Sequence, residues 1–523
     1  MKKYTNLIIL GVLFLLGLIF LGVKYIKIDD VLLAIGYYDK KIDIVNTADI
    51  HGHIVFDNAT GGYYSLDEVD YIMGMPVMKS VVDSLRKEKS SSLLLDGGDM
   101  FHGTNEANIE KGQGVVEIAN QMGYTAMTIG NHDFNFGLDR LMEISSCLNF
   151  PMLTANIYKE GKPLFKEYEI VEVGGKKIGI FGLTVEDALS FTNSRDTKGV
   201  TIESPIKCAE KTVSVLKKQT DAIILISHLG DENDKKLIDK VAGIDLILCG
   251  HNHFAYKKAD KYKDTYLVEA GGYSTHVGLA KMYFKNGSVK KVVWSLHRTK
   301  DSSKADKKAK EIADKYEAIA MKDAQIKVGQ TMVKLDGIRF HLRSQETNFG
   351  NLLADAMKDI GNADIALMNG GGIRESIPQG EINLYKIGKS LPFVNSLVTV
   401  EMSGEKIHSC LERGIRQYPN SGSNGGFLQV SGMSFTFDAS KPVGQRVTSV
   451  LVNGKPLDNK KYYKVATNDY LYNGGDNYEE IKDSKLISKG TLLKDILAEY
   501  IRKKGTINPK VEGRIKVENE RYK

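Results

Sequence analysis

A chain of 523 residues is longer than one ordinary hydrophobic core supports, so two or three domains are expected. Hydrophobic residues at 42% and charged residues at 26% fit a folded globular protein and exclude a disordered or fibrous one. The net charge of +6, from 71 basic and 65 acidic residues, is small for this length and gives no reason to expect a nucleic acid polymer as partner.

The N-terminus stands apart from this bulk. Met1-Lys2-Lys3 precedes Leu7–Val23, an unbroken run of apolar residues and glycine, close to the roughly 20 residues a spanning helix needs. Lys24-Tyr25-Ile26-Lys27 follows with no small-x-small cleavage site, so residues 1–28 read as a signal anchor, with a cleaved signal peptide as the alternative. The leading lysines stay inside, which puts the remainder outside the cytoplasm, membrane-anchored or secreted. No cysteine lies near enough for a lipoprotein anchor. The four cysteines, Cys147, Cys208, Cys249 and Cys410, are scattered. Cys208 and Cys249 read as buried small hydrophobes, and the fold is expected to need no disulfide.

Beyond a tether over residues 29–41, apolar strands alternate with helical patterns, which gives an α/β class. Strands are expected at Ile42–Asn46, Ser92–Leu95, Ala126–Ile129, Lys177–Leu183, Ala222–Ser227 and Ile244–Cys249. Helices are expected at Pro76–Lys87, around Gly114–Met122, and at Ile206–Lys217. Five of these strands end in potential ligands: Asp49 and His51; Asp99; Asn131 and His132; His228; His251 and His253. Loops at strand C-termini converge on one sheet edge, so these donors are expected to share a site. A single histidine is more often a satisfied structural residue than a ligand; donors at five strand ends together point to metal. Asp49, His51, Asp99, Asn131, His228, His251 and His253 supply enough donors for two divalent ions if one carboxylate bridges. Oxygen and imidazole donors without thiolate suit Zn, Mn or a similar ion, and leave positions for water and substrate.

These stretches, Asp49-x-His51, Gly98-Asp99, Gly130-Asn131-His132-Asp133, His228 and Gly250-His251-Asn252-His253, resemble the metallophosphoesterase signature in its order. Among its variants they look like the 5′-nucleotidase and cyclic-nucleotide phosphodiesterase family. The resemblance implies a two-sheet sandwich flanked by helices over residues 42–298. It implies that Asp49, His51, Asp99 and His253 hold one ion, and that Asp99, Asn131, His228 and His251 hold the other. His132 would then contact the phosphate and stabilise charge, or protonate the leaving oxygen. One position departs from the pattern. Many 5′-nucleotidases carry an aspartate three residues after that histidine as its orienting partner, and here it is Asn135. An amide can orient the ring by a hydrogen bond, but it cannot hold an imidazolium as a carboxylate does. Asparagine there leans toward the cyclic-phosphodiesterase branch.

Residues 299–326 are expected to form a linker; within them Lys300–Asp323 lacks glycine and proline and reads as one exposed, semi-rigid helix. A second domain, an α/β nucleotide-binding unit by resemblance, is expected over 327–517. In it Arg339 and Arg343 are four apart, Thr347 caps a helix from Leu352 to Asp359, and the strand Asp364–Met368 runs into Asn369-Gly370-Gly371-Gly372-Ile373-Arg374. A triple glycine lets backbone N–H groups approach an anion, and the arginine adds a planar fork. Phe393, Asn395, Tyr470 and Asp476 place aromatics beside polar groups, which suits a stacked base, although either ring alone reads more readily as core. Against the family's C-terminal domain, Arg339, Arg343 and Arg374 resemble the residues that hold sugar and phosphate. Phe393 and Tyr470 resemble the base-stacking pair, and Asn395 and Asp476 the polar contacts to base and ribose. The Gly474-Gly475-Asp476 form fits the 5′-nucleotidase branch. The expected function is therefore an extracytoplasmic dimetal 5′-nucleotidase acting on small nucleotides. The alternatives are a 2′,3′-cyclic-nucleotide phosphodiesterase and 3′-nucleotidase on the same scaffold and, of another class, an inactive nucleotide-binding surface protein.

Overall fold

The structure is a computed structural model; it describes residues 28–57, 71–86, 92–186, 188–191, 199–393, 395–419, 424–482 and 484–519. The apolar run Leu7–Val23 and most of the loop from Asn58 to Tyr71 lie outside the described residues. Among those described, no helix is long and apolar enough to cross a membrane.

Two sheets face each other in the first half. One runs in the order Ser288–His297, Val277–Lys285, Lys40–Thr47, Ser92–Asp96, Ala126–Met127, and its last three strands are parallel. The other runs Asp260–Tyr262, Thr265–Glu269, Leu246–Cys249, Ala222–His228, Lys176–Thr184, Tyr168–Val173, parallel through its centre. The pleat explains the packing. Ile42 and Ile44 meet Ile224, Ile226, Leu246 and Leu248 between the sheets. Val45 and Leu94, pointing the other way, pack under helices Gly74–Leu85 and Gln113–Met122. On the far side Ile223, Leu225 and Ile247 pack against helix Pro205–Leu216. Each such buried side chain contributes about 1.5–3 kcal/mol before entropy is counted. The expected strands appear within a residue or two, except that Ala126–Ile129 shortens to Ala126–Met127, because Thr128 turns to donate its N–H to Asp96 O at 3.0 Å. Cys208, Cys249 and Cys410 are buried, Cys147 is exposed, and all four are free thiols.

The connector departs from its expected form. A short 3-10 turn, Ser302–Lys304, leads to a helix at Lys307–Ala320 capped by Asp306, whose carboxylate accepts the Ala309 N–H at 3.0 Å. Far from being an exposed rod, it buries Ala309, Ala313, Tyr316 and Ala320 against the helices of the first half. That stripe of small residues at helical spacing is masked in the sequence by the surrounding lysines and acids. Tyr316 OH donates to Glu117 at 2.9 Å.

The second half centres on a sheet ordered Leu428–Ser431, Ile365–Asn369, Tyr462–Asn468, Ser396–Ser403, Lys485–Leu492. Helices Asn348–Ile360 and Leu493–Lys504 cover one face, and Gly404–Gly414 covers the other. The Thr347 side chain caps the first of these, accepting the Gly350 N–H at 2.9 Å. The pair Arg339 and Arg343 does not share a long helix. Arg339–Leu342 is a single turn and Arg343 ends it.

Candidate active site

All the strand-end donors converge at one edge of the facing sheets. His51 Nε2 and His253 Nε2 lie 3.4 Å apart, with Asp49 Oδ1 3.5 Å from the latter. Asn131 Oδ1 lies 3.2 Å from His228 Nε2 and 3.0 Å from His251 Nδ1. Asp99 Oδ2 sits between the groups, 3.5 Å from His51 Nε2 and 3.2 Å from His228 Nε2. Ligand atoms of Asp49, His51 and His253, and of Asp49, Asp99 and His228, fall within 4.8 Å of one another. Asp49 is common to both groups, and Asp99 Oδ2 reaches one histidine of each donor pair.

The backbone shows how these donors are aimed. Asp49, His51, Asp99, His251 and His253 all have left-handed φ, from 48° to 80°, although none is glycine. Strain of this kind costs about 1–3 kcal/mol per residue and gathers at functional sites. Glycine is required beside them. A Cβ on Gly130 would lie 2.1 Å from Asp99 Oδ1, so only glycine lets the Asn131 loop close on that carboxylate. Asp133 ties the two loops, accepting N–H groups from Asp99 at 3.0 Å, Gly130 at 2.9 Å and Met100 at 2.9 Å. The His132 N–H donates to Asp99 Oδ1 at 2.7 Å, which leaves Oδ2 facing His51 and His228.

Tautomers follow from the second layer of contacts. His228 Nδ1 donates to Gly97 O at 2.7 Å and His51 Nδ1 to His102 O at 3.1 Å, so Nε2 of each ring is the nitrogen turned inward. The pocket's own charges are poorly settled. Burial pushes Asp49 up to about 8 against the pull of His228. Burial also opposes charge on His228 and on Asp99. Their mutual attraction nevertheless lifts His228 to about 10 and, with help from His132, holds Asp99 well below the usual carboxylate range. Buried imidazoles and carboxyl groups that hold protons between them in this way are what a pair of divalent cations would displace, and the donor set fits them.

His132 stands beside these clusters. Its ring is 5.2 Å from that of His51, and its Nδ1 lies 3.2 Å from Asn135 Nδ2, so the amide does reach the imidazole. Burial lowers its pKa to about 4, with Arg374 adding to the shift and Asp99 opposing it. The ring is thus neutral near pH 7.

A cleft of about 1570 Å³ joins this edge to the second half. Asp99, Asn131, His132, Asn135, His251 and His253 line one wall; Arg339, Arg343, Arg374, Phe393, Asn395, Tyr470 and Asp476 line the other. Asp49, His51 and His228 lie under the floor, almost fully buried. Tyr470 lies on Gly475, where a Cβ would come within 2.3 Å of the ring, and its OH accepts the Asp476 N–H at 3.0 Å. Phe393 has another neighbour than its proposed stacking partner. Its ring covers His132 at 5.3 Å and His102 at 5.4 Å. Burial and the neighbouring Arg339 and Arg374 push the Arg343 guanidinium well below its usual value, a strain that an anion would relieve.

Two residues here were not anticipated. Tyr273 packs on His51, His53 and His253, and its OH accepts from Arg374 at 2.5 Å and Arg339 at 3.3 Å. It follows the strand Thr265–Glu269 through Gly271-Gly272, a sixth strand end whose glycine pair was a usable signal. His102 lies three residues past Asp99 in the same loop, and no ligand spacing marks it.

The matches with known proteins run over the same regions. Residues 42–255 match the calcineurin-like phosphoesterase family, and residues 327–483 match the 5′-nucleotidase C-terminal domain. The chain is 31% identical over 91% of its length to the trifunctional nucleotide phosphoesterase protein YfkN of Bacillus subtilis, but spans only 35% of that protein. It is 30% identical to the protein UshA of Yersinia enterocolitica, covering 88% of this chain and 91% of UshA. The crystal structure of a 5′-nucleotidase precursor from Thermus thermophilus superposes with a TM-score of 0.82 at 31% identity, over 92% of this chain and 100% of that one. The chain belongs to the 5′-nucleotidase family: a calcineurin-like phosphoesterase half with buried Asp/His clusters consistent with a dimetal site, and a 5′-nucleotidase C-terminal domain.

Proposed function

We propose that the protein hydrolyses nucleoside 5′-monophosphates, releasing phosphate. The observation that carries this reading is the single cleft, in which the donor clusters and His132 face Tyr470, Asp476 and three arginines. Two divalent ions, when bound, supply Lewis-acid polarisation and lower the pKa of water for an in-line displacement at phosphorus. Asp49, His51, Asp99 and His253 would hold one, and Asp99, Asn131, His228 and His251 the other. His132, neutral near pH 7, hydrogen-bonds a phosphate or leaving-group oxygen as charge builds there. Asn135 holds that ring. Arg339, Arg343 and Arg374 take the anionic and ribose side, and Tyr470 with Phe393, Asn395 and Asp476 reads the base and sugar. Tyr273 OH occupies the converging point of two of the arginines and would yield when an anion enters. The Leu7–Val23 run supports a place for this activity outside the cytoplasm, anchored or secreted.

Asn135 is the observation that favours a second reading, a 2′,3′-cyclic-nucleotide phosphodiesterase with 3′-nucleotidase activity. The chain supplied with Mn²⁺ or Zn²⁺ and offered AMP or 2′,3′-cyclic AMP decides between them. Faster phosphate release from AMP is expected, and a strong preference for the cyclic ester would reverse the order. No turnover of either, with chelator making no difference, would leave a nucleotide-binding protein.

A further inference from the structure

Asn135 does more than meet His132. Its Nδ2 lies 3.2 Å from His132 Nδ1 and 3.0 Å from His102 Nδ1, so one amide nitrogen bridges two imidazoles. An amide nitrogen has two hydrogens to give and no lone pair to offer. Both Nδ1 atoms must then accept, and each ring keeps its proton on Nε2.

We propose that His102 is a positioning residue for the phosphoester reaction: through the shared Asn135 amide it holds His132 as the tautomer with its proton on Nε2.

Rotating the amide would reverse this, because Oδ1 would then accept a proton from each Nδ1. The number of unmet buried donors opposes the rotation. The Asn135 oxygen is buried with no hydrogen-bond partner among the described residues, so rotation would put two unmet N–H donors in its place. Burying orphan N–H donors is rarer and costlier than leaving a carbonyl oxygen unmet. His102 Nε2 is buried with no hydrogen-bond partner among the described residues, so the observed arrangement leaves one such N–H unmet where the rotated amide would leave two. Phe393 lies nearly parallel to both imidazoles, at 16° to His102 and 26° to His132, and closes over them from the opposite half of the molecule. A carboxylate at position 135 could only accept, and would draw the His132 proton to Nδ1. The Asn135–His102 pair sets the opposite polarity, in which a neutral His132 donates from Nε2 without needing a second proton.

This inference rests on the role given to His132 above, but its first test needs no substrate. In the full chain loaded with Zn²⁺ and labelled with 15N-histidine, long-range proton–nitrogen correlations report the tautomer of His132, assigned by its loss in His132→Ala. Protonated Nε2 and unprotonated Nδ1 are expected; protonated Nδ1, or an equal mixture, would overturn the proposal. The second test is kinetic and uses p-nitrophenyl phosphate, so it does not depend on which nucleotide is the substrate. His102→Ala is expected to lower kcat on the order of 10- to 100-fold with KM within about twofold. His102→Gln, whose side-chain oxygen can accept from Asn135, is expected to recover most of the loss. Equal losses in both variants, or none in either, would contradict it. Should His102→Ala fail to hold two zinc ions, His102→Phe, which keeps a ring against Phe393 but offers Asn135 no acceptor, takes its place with the same expected and contradicting results.

Discussion

On the donor wall of the cleft, five side chains sit on left-handed backbone and are braced by N–H groups, carbonyls and the Asp133 carboxylate. On the opposite wall, only Asp476 among the seven expected nucleotide contacts has a left-handed φ; the others lie on loops and on two one-turn helices. Cation coordination tolerates little error in ligand position, so the donor wall is strained and over-determined. Reading a sugar and a base by stacking and forked hydrogen bonds tolerates more, and the second wall is correspondingly looser. On that contrast, substitutions on the first wall should abolish chemistry, and those on the second should weaken binding.

The largest effect is expected at Asp99. Asp99→Asn should empty both ion positions by metal analysis and cut turnover about 10³-fold or more, since several kcal/mol of charge stabilisation goes with the ions. Loss of a single ion would remove Asp99 as the bridge. Next comes His132→Ala, expected to keep two ions yet lose about 10²- to 10⁴-fold in kcat; normal turnover would take His132 out of the chemistry.

Much of the donor wall was legible in the sequence because few residue types bind a hard or borderline cation, and strand periodicity puts them at one sheet edge. Asp49, His251 and their partners announced themselves by type and place. Tyr273 and His102 did not, for a lone tyrosine after two glycines reads like any core tyrosine, and His102 acts through an amide that only folding brings within 3.0 Å. The second wall was harder for the same reason. Phe393 and Tyr470 could each have been packing residues, and whole-family resemblance had to supply what spacing could not. The linker helix misled because its buried stripe is alanine and one tyrosine, which composition dilutes among lysines and acids.

On the second wall, Tyr470→Ala is expected to raise KM for AMP by roughly 10-fold, the lower part of the 1–3 kcal/mol a stacked base contributes. Its rate on p-nitrophenyl phosphate should not change, and an equal loss on both substrates would erase the distinction between the walls. A further effect concerns stability behind the donor wall, not activity. Asp234 is buried, accepts Ser227 Oγ at 2.5 Å, and is pushed up to about 7 by burial. Because its folded pKa lies above the unfolded one, the folded chain binds the proton more tightly. That stabilisation is complete below about pH 4 and is lost as pH rises toward 7. Asp234→Asn, kept saturated with metal, should therefore lose less stability between pH 5 and pH 8 than the unsubstituted chain, by about 2 kcal/mol in denaturant titrations. Parallel profiles would show that Asp234 does not titrate in this range.

The claim that both walls act on one nucleotide is tested most directly by kcat/KM for AMP and for p-nitrophenyl phosphate in the metal-loaded chain. A preference for AMP of about 10-fold or more is expected from base and ribose contacts worth at least 1.4 kcal/mol. Equal values for the two esters would mean that the second wall does not read the nucleotide, and would contradict the account.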